Sequence, residues 1–142
     1  MNLRNEVFSH HESLWILCIG QEVSKQPLSP LLDMVDWYNN QLLGKGLQLG
    51  QISFALGSKT LLPTTGFLPV KCLLLWGLGD EKNLTESVAK DLLIEIDKVL
   101  EDLNEKSPWI IFSTSTSSSF INEINKGRGK LDRLAAASVS VN

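Results

Sequence analysis

The chain has 142 residues, 43% of them hydrophobic and 20% charged, with a formal net charge of −3. That length suits one compact domain spanning residues 1–142, and an apolar fraction close to the globular level of about 45–50% excludes intrinsic disorder and a coiled coil. The apolar runs fall far short of the ~20 residues that cross a bilayer, and no basic segment leading into an apolar one opens the chain, so neither a membrane anchor nor a signal peptide is expected.

Leu14-Trp15-Ile16-Leu17-Cys18-Ile19 is a continuous apolar run ending at Gly20, which predicts a strand buried on both faces of a parallel or mixed sheet. Residues 21–28 read as a polar loop. Ser29-Pro30 then supplies an N-cap and a proline at the first helical position, a standard helix start. Leu31, Val35, Tyr38 and Leu42 fall on one face of that helix, and Gly44-Lys45-Gly46 is expected to stop it. The alternation from Gln51 to Leu56, a turn at Gly57-Ser58 and a return over Lys59 to Leu62 predict a hairpin.

Val70 to Trp76 is the strongest strand signal, closed by Gly77-Leu78-Gly79-Asp80. Asn83 with Glu86 predicts a capping box, opening a helix to about Glu105 with Val88, Leu92, Ile96, Val99 and Leu103 as its buried stripe. Ser107-Pro108 ends it, and Trp109-Ile110-Ile111-Phe112 is a further short strand. The run Ser113 to Ser119 leads into an amphipathic segment from Phe120 to Ile124. Leu131 to Ala137 predicts a helical turn or two, and Val139-Ser140-Val141 a terminal edge strand. Alternating strands and helices with no internal repeat define an α/β class with helices on both faces of a mixed sheet, a three-layer α/β/α arrangement.

Residues 80–105 carry nine acids against three lysines. Most belong to the outer face of the long helix, a solvated surface. The cluster Lys126-Gly127-Arg128-Gly129-Lys130 reads as a solvated loop, and the chain lacks the dense basic face of a nucleic-acid binder. Cys18 and Cys72 sit in apolar strands, where buried reduced thiols are the default in a cytoplasmic protein, although the sequence alone leaves a disulfide open. His10 and His11 are adjacent and poorly placed to share a metal, so no metal or cofactor is expected. The four tryptophans, Trp15, Trp37, Trp76 and Trp109, are assigned to core or interface packing.

Two stretches could hold a ligand. Gly77 and Gly79 follow a strand and precede a helix, where backbone N–H groups can cradle a phosphate, although the third glycine of a dinucleotide fingerprint is missing and Asp80 and Glu81 would repel an anion. The second stretch, also between strand and helix, offers the hydroxyls of Ser115, Ser117, Ser118 and Ser119.

The order of these motifs resembles the N-terminal, macro-like domain of the leucyl aminopeptidase (cytosol aminopeptidase) family. The resemblance rests on Leu14 to Gly20, the Leu28 to Leu43 helix, Leu61-Leu62-Pro63, and above all Val70-Lys71-Cys72-Leu73-Leu74-Leu75-Trp76-Gly77-Leu78-Gly79-Asp80 followed by Leu84-Thr85 and the long helix. In that family the peptidase chemistry belongs to a separate C-terminal domain with an Asn-Thr-Asp-Ala-Glu-Gly-Arg signature, which this sequence lacks. The resemblance therefore implies a macro-like fold without catalysis, acting in assembly, regulation or contacts with a protein partner or a second copy. Macro domains that bind ADP-ribose share the fold. They imply the alternative, a binder of nucleotides or other phosphate-bearing small molecules.

Overall fold

The computed structural model describes residues 3–21, 29–64, 66–113 and 116–141. Most of the loop expected at 21–28, and Ser115, lie outside them. A helix that sequence patterning missed, α1 (Leu3–Ser9), precedes β1 (Leu14–Gly20). Then follow α2 (Pro30–Tyr38), α3 (Leu42–Gln48), β2 (Lys59–Pro63), β3 (Cys72–Gly79), α4 (Glu86–Asp102), β4 (Trp109–Phe112), α5 (Ser118–Arg128) and β5 (Ser138–Val141).

The five strands form one mixed sheet in the order β2-β3-β1-β4-β5. β1 is central and parallel to β3 and β4, and β5 is parallel to β4. Only β2 runs antiparallel. Every residue of β1 and β4 is buried, as continuous apolar runs require in a sheet covered on both faces. Alternate side chains divide between two cores. Leu14, Ile16 and Cys18 join Leu74, Trp76, Ile110 and Phe112 under α4 and α5. Trp15, Leu17 and Ile19 join Leu73, Leu75, Trp109 and Ile111 under α1, α2 and α3. Each fully buried aliphatic side chain contributes about 1.5–3 kcal/mol, and the strands and the segments that cover them both supply such side chains to each layer.

The helix expected to stop at Gly44–Gly46 is instead two helices. Asn40 and Gln41 take φ of 63° and 58°, which breaks the helical path after Tyr38. The buried carboxylate of Asp36 then accepts from the amides of Leu43 (2.9 Å) and Gly44 (3.1 Å), capping the start of α3. Gly44 and Gly46 lie inside that helix, and Gly46 is there because a β-carbon would run into the Ile52 side chain.

The expected hairpin is also replaced. Residues 51–58 form no strand, and β2 pairs with β3, Lys59 opposite Trp76 through Pro63 opposite Cys72. The turn at 55–58 folds over the end of β3, where Gly57 N–H donates to Gly77 O (3.0 Å), Gly77 N–H to Ser58 O (2.9 Å) and Gly79 N–H to Phe54 O (2.9 Å). A partner already present in β3 wins over a local return.

Three further expectations shift. The cap of α4 is Thr85, accepting from Val88 N–H at 3.3 Å, while Asn83 closes a short 3-10 turn capped by Asp80. The buried stripe of α4 is Ala89, Leu92, Leu93, Ile96 and Leu100, rotated from the expected one because the helix packs against α5 as well as the sheet. Arg128 is not part of a solvated loop. It ends α5, and its guanidinium donates to the carbonyls of Ala135 (3.0 Å) and Ala137 (2.8 Å), anchoring the turns that lead to β5. Of the tryptophans, Trp15, Trp76 and Trp109 are core residues as expected, but Trp37 is 67% exposed. Both cysteines are free thiols. No helix among the described residues is long and apolar enough to cross a membrane.

Candidate functional site

In an open α/β sheet the ligand crevice lies at the carboxyl ends of the strands where outgoing connections diverge. Here that point falls between β1 and β4. The chain leaves β1 toward α2 on one face and returns on the β3 side, whereas it leaves β4 toward α5 on the other face and continues to β5. Strand order decides this, and it is not readable from local patterning.

The two strand ends are tied together. Ser113, directly after β4, donates its amide to Cys18 O at 3.0 Å. Its hydroxyl in turn accepts from the amide of Gly20 at 3.3 Å. Thr116 folds back on Ser113 through its amide (3.0 Å) and hydroxyl (3.4 Å). Ser113 and Thr116 are both buried. Their hydroxyls are thus turned into the fold.

The remaining serines open α5. Ser117 is its N-cap, accepting from Phe120 N–H at 3.3 Å, with its hydroxyl 3.3 Å from that of Ser119. Ser118 and Ser119 are exposed on the first turn. Ser29 caps the start of α2 by position only. It is 5% exposed, and its hydroxyl has no hydrogen-bond partner among the described residues.

Gly79 lies opposite Gly20 in the sheet register, so the structure brings Gly77, Gly79 and Ser117–Ser119 to one end of the sheet, on either side of β1. The two glycines do different work from the serines. Their amides are engaged by the 54–58 turn. A β-carbon on Gly77 would strike Ala55 O and Ser58 Oγ, so this glycine is needed for backbone approach within the fold. Gly20 was missed as a site residue, and Ser113 and Thr116, inside the serine-threonine stretch, were not singled out. Their signal was positional, at strand ends and a helix start, and it needed the strand order to be read.

Electrostatics separates the three helix starts that face this end. Each exposes amide donors and the positive end of a helix dipole. α4 begins among Asp80, Glu81 and Glu86, and α2 carries Asp33 in its first turn. Burial pushes the Asp33 carboxyl above its usual range. The first turn of α5 carries no acid. α5 is thus the start best suited to an anion. For thiol chemistry the molecule is poorly set: burial pushes the Cys18 thiol far up, and burial with Glu105 nearby raises that of Cys72. Among the described residues no three His, Cys, Asp or Glu side chains gather as metal ligands. His10 instead stacks on Trp109 at 3.5 Å and pairs with Glu12 at 3.0 Å.

Among solved structures, the macrodomain of Mycobacterium tuberculosis DarG superimposes with a TM-score of 0.60 at 10% identity, covering 95% of this chain and 91% of that one. The chain has a macrodomain-like fold. The Thermus aquaticus DarG macrodomain gives 0.54 at 10% identity, over 95% and 91% of the two chains. A mutant of tomato leucine aminopeptidase gives 0.60 at 13% identity, over 95% of this chain and 30% of that enzyme. The two resemblances expected from sequence are thus met at the level of fold. No family model and no curated protein matches the chain.

Proposed function

We propose that the chain is a macro-like domain that binds a phosphate-bearing small molecule of the nucleotide or ADP-ribose class. The phosphate sits at the start of α5, against Ser117–Ser119, in the crevice between the ends of β1 and β4. The observation that carries this reading is the acid-free start of α5 at the point where the connections diverge. Amide donors and a helix dipole supply anion affinity there, while Gly20 and Ser113 hold the loop.

Calorimetric titration with ADP-ribose, AMP and ATP, with adenosine as the phosphate-free control, tests the reading. Heat from the phosphate-bearing compounds and none from adenosine supports it. No heat at millimolar ligand removes it. The reading is one of binding without chemistry, and hydrolysis of leucine-p-nitroanilide by the purified chain with added Mn²⁺ or Zn²⁺ would overturn that part.

A second reading, contact with a protein partner or another copy, is favoured by the outer face of α2. There Trp37 stands 67% exposed beside Met34 and Tyr38 along an open groove of about 560 Å³. Light scattering on the purified chain tests self-association through this face, and a monomer unaffected by Trp37→Ala removes it.

A further inference from the structure

β5 is an edge strand, paired with β4 alone. One bond fixes the phase of its ladder: Ser138 N–H donates to Pro108 O at 3.1 Å. Along a paired strand the backbone groups of successive residues alternate between facing the neighbour and facing away. Ser138 and Ser140 therefore turn their amides and carbonyls to β4, and those of Val139 and Val141 point out of the sheet. These outward groups have no hydrogen-bond partner among the described residues. Val141 is 44% exposed, so the edge is open.

The two edges of the sheet are unlike. Edge strands are ordinarily guarded by charge, by proline or by a covering element. β2, at the far edge, carries Lys59 and ends in Pro63. β5 reads Ser-Val-Ser-Val and has neither guard. Its two faces differ as well. Val139 packs on the core under α4 and α5, and Val141, two residues on, shares that face. On the other face, the Ser140 hydroxyl accepts from Trp109 Nε1 at 2.9 Å and donates to Glu6 Oε1 at 3.5 Å. Glu6 is partly buried and has no ion pair among the described residues. His10, stacked on the same Trp109 ring, is already paired with Glu12.

We infer that the β5 edge accepts an extended segment of a partner protein, added as an antiparallel strand, with a lysine or arginine between two apolar residues. The apolar residues exchange backbone hydrogen bonds with Val139 and Val141 and lie beside them on the α5 face. The basic residue falls opposite Ser140, where Cβ atoms are about 4.5–5.5 Å apart, and its long side chain reaches Glu6. A second copy fits less well. The register that engages both valines of each β5 sets Ser140 against Ser140 and brings two Glu6 carboxylates to one face. The edge shares no residue with the α2 groove or with the β1–β4 crevice, and the inference does not depend on the phosphate reading.

The test is amide NMR titration of the chain with three peptides: acetyl-Thr-Val-Lys-Val-Thr-amide, its glutamate-for-lysine analogue, and the lysine peptide N-methylated at both valines. The lysine peptide should give saturable shifts centred on Ser138–Val141 and bind about threefold or more tighter than the glutamate peptide. N-methylation removes the two donors that face β5, leaves the protein untouched, and should weaken binding about tenfold or more. In Glu6→Gln the lysine and glutamate peptides should bind equally, within about twofold. Undiminished binding of the N-methylated peptide, a glutamate peptide as tight as the lysine one in the wild type, shifts confined to other parts of the molecule, or no saturable shift at millimolar peptide would overturn the inference. Amide protection of Val139 and Val141 that rises with the concentration of the chain alone would give the edge to a second copy, and would overturn it too.

Discussion

The amide of Gly20, at the end of β1, donates to the hydroxyl of Ser113, just past β4, across 3.3 Å. This one bond links two residues 93 positions apart and joins the strands on either side of the proposed crevice. Ser113→Ala leaves the Gly20 amide without that acceptor and Thr116 without its hydroxyl neighbour. A buried donor stripped of its partner costs about 1–3 kcal/mol. Urea unfolding should show a loss in that range, and an unchanged midpoint would mean the bond contributes nothing.

Asp36 predicts a pH dependence. Burial raises its carboxyl above the ordinary value of 3.8, and the amides of Leu43 and Gly44 pull it part of the way back, with Asp33 raising it and Lys45 lowering it more weakly. The folded chain therefore holds this proton more tightly than the unfolded chain. Its contribution to stability is full below pH 3.8 and is lost as pH rises through the folded value. Asparagine does not titrate, though it keeps only one of the two acceptor oxygens that now serve Leu43 and Gly44, a loss that is the same at every pH. Unfolding free energies across about pH 3 to 6 should thus move in favour of Asp36→Asn as pH rises; movement in favour of the wild type would contradict this account. Asp36→Ala loses the cap at every pH, by about 1 kcal/mol.

Three glycines should respond differently to alanine. At Gly77 the new methyl meets Ala55 O and Ser58 Oγ, and we expect a loss above about 2 kcal/mol. Gly79 has φ of 68°, which favours glycine by about 1–2 kcal/mol. Gly129 has helical φ and ψ and open space around it, so alanine there should be neutral or stabilising by about 0.4–1 kcal/mol. Denaturant melts of the three variants check this order, and equal losses would refute it.

Arg128 holds the approach to β5 through two carbonyls at once. Arg128→Ala should speed amide exchange along Ser138–Val141. Both bonds leave a single nitrogen, Nη1, while Nε donates to Asn125 Oδ1 and holds the guanidinium in place; lysine lacks that second donor and should not restore protection. Full protection in Arg128→Lys would reduce the role of Arg128 to charge alone.

How much was legible in the sequence follows from where each signal resides. β1 and β4 announce themselves because both faces are buried and every residue is apolar. The partner of β2 was not legible. Lys59–Pro63 suits a local return and a long-range pairing equally well, and the turn over Gly77 decides. The break at Asn40 and Gln41 escaped because its cause, the Asp36 carboxylate, acts through amides seven and eight residues away. For the crevice, the serines of α5 were visible, whereas Gly20 and Ser113 gained meaning only once β1 and β4 were neighbours.

The central claim, an anion at the start of α5, is tested most directly by amide NMR of the chain titrated with ADP-ribose, beside Ser118→Glu. An acid in the first turn leaves the helix as stable or more so while placing a negative charge where the phosphate should sit. The account predicts saturable shifts centred on Gly20, Ser113 and Thr116–Ser119 in the wild type, and binding weakened about tenfold or more in Ser118→Glu. Shifts confined to other parts of the molecule, or equal affinity in the two proteins, would contradict it.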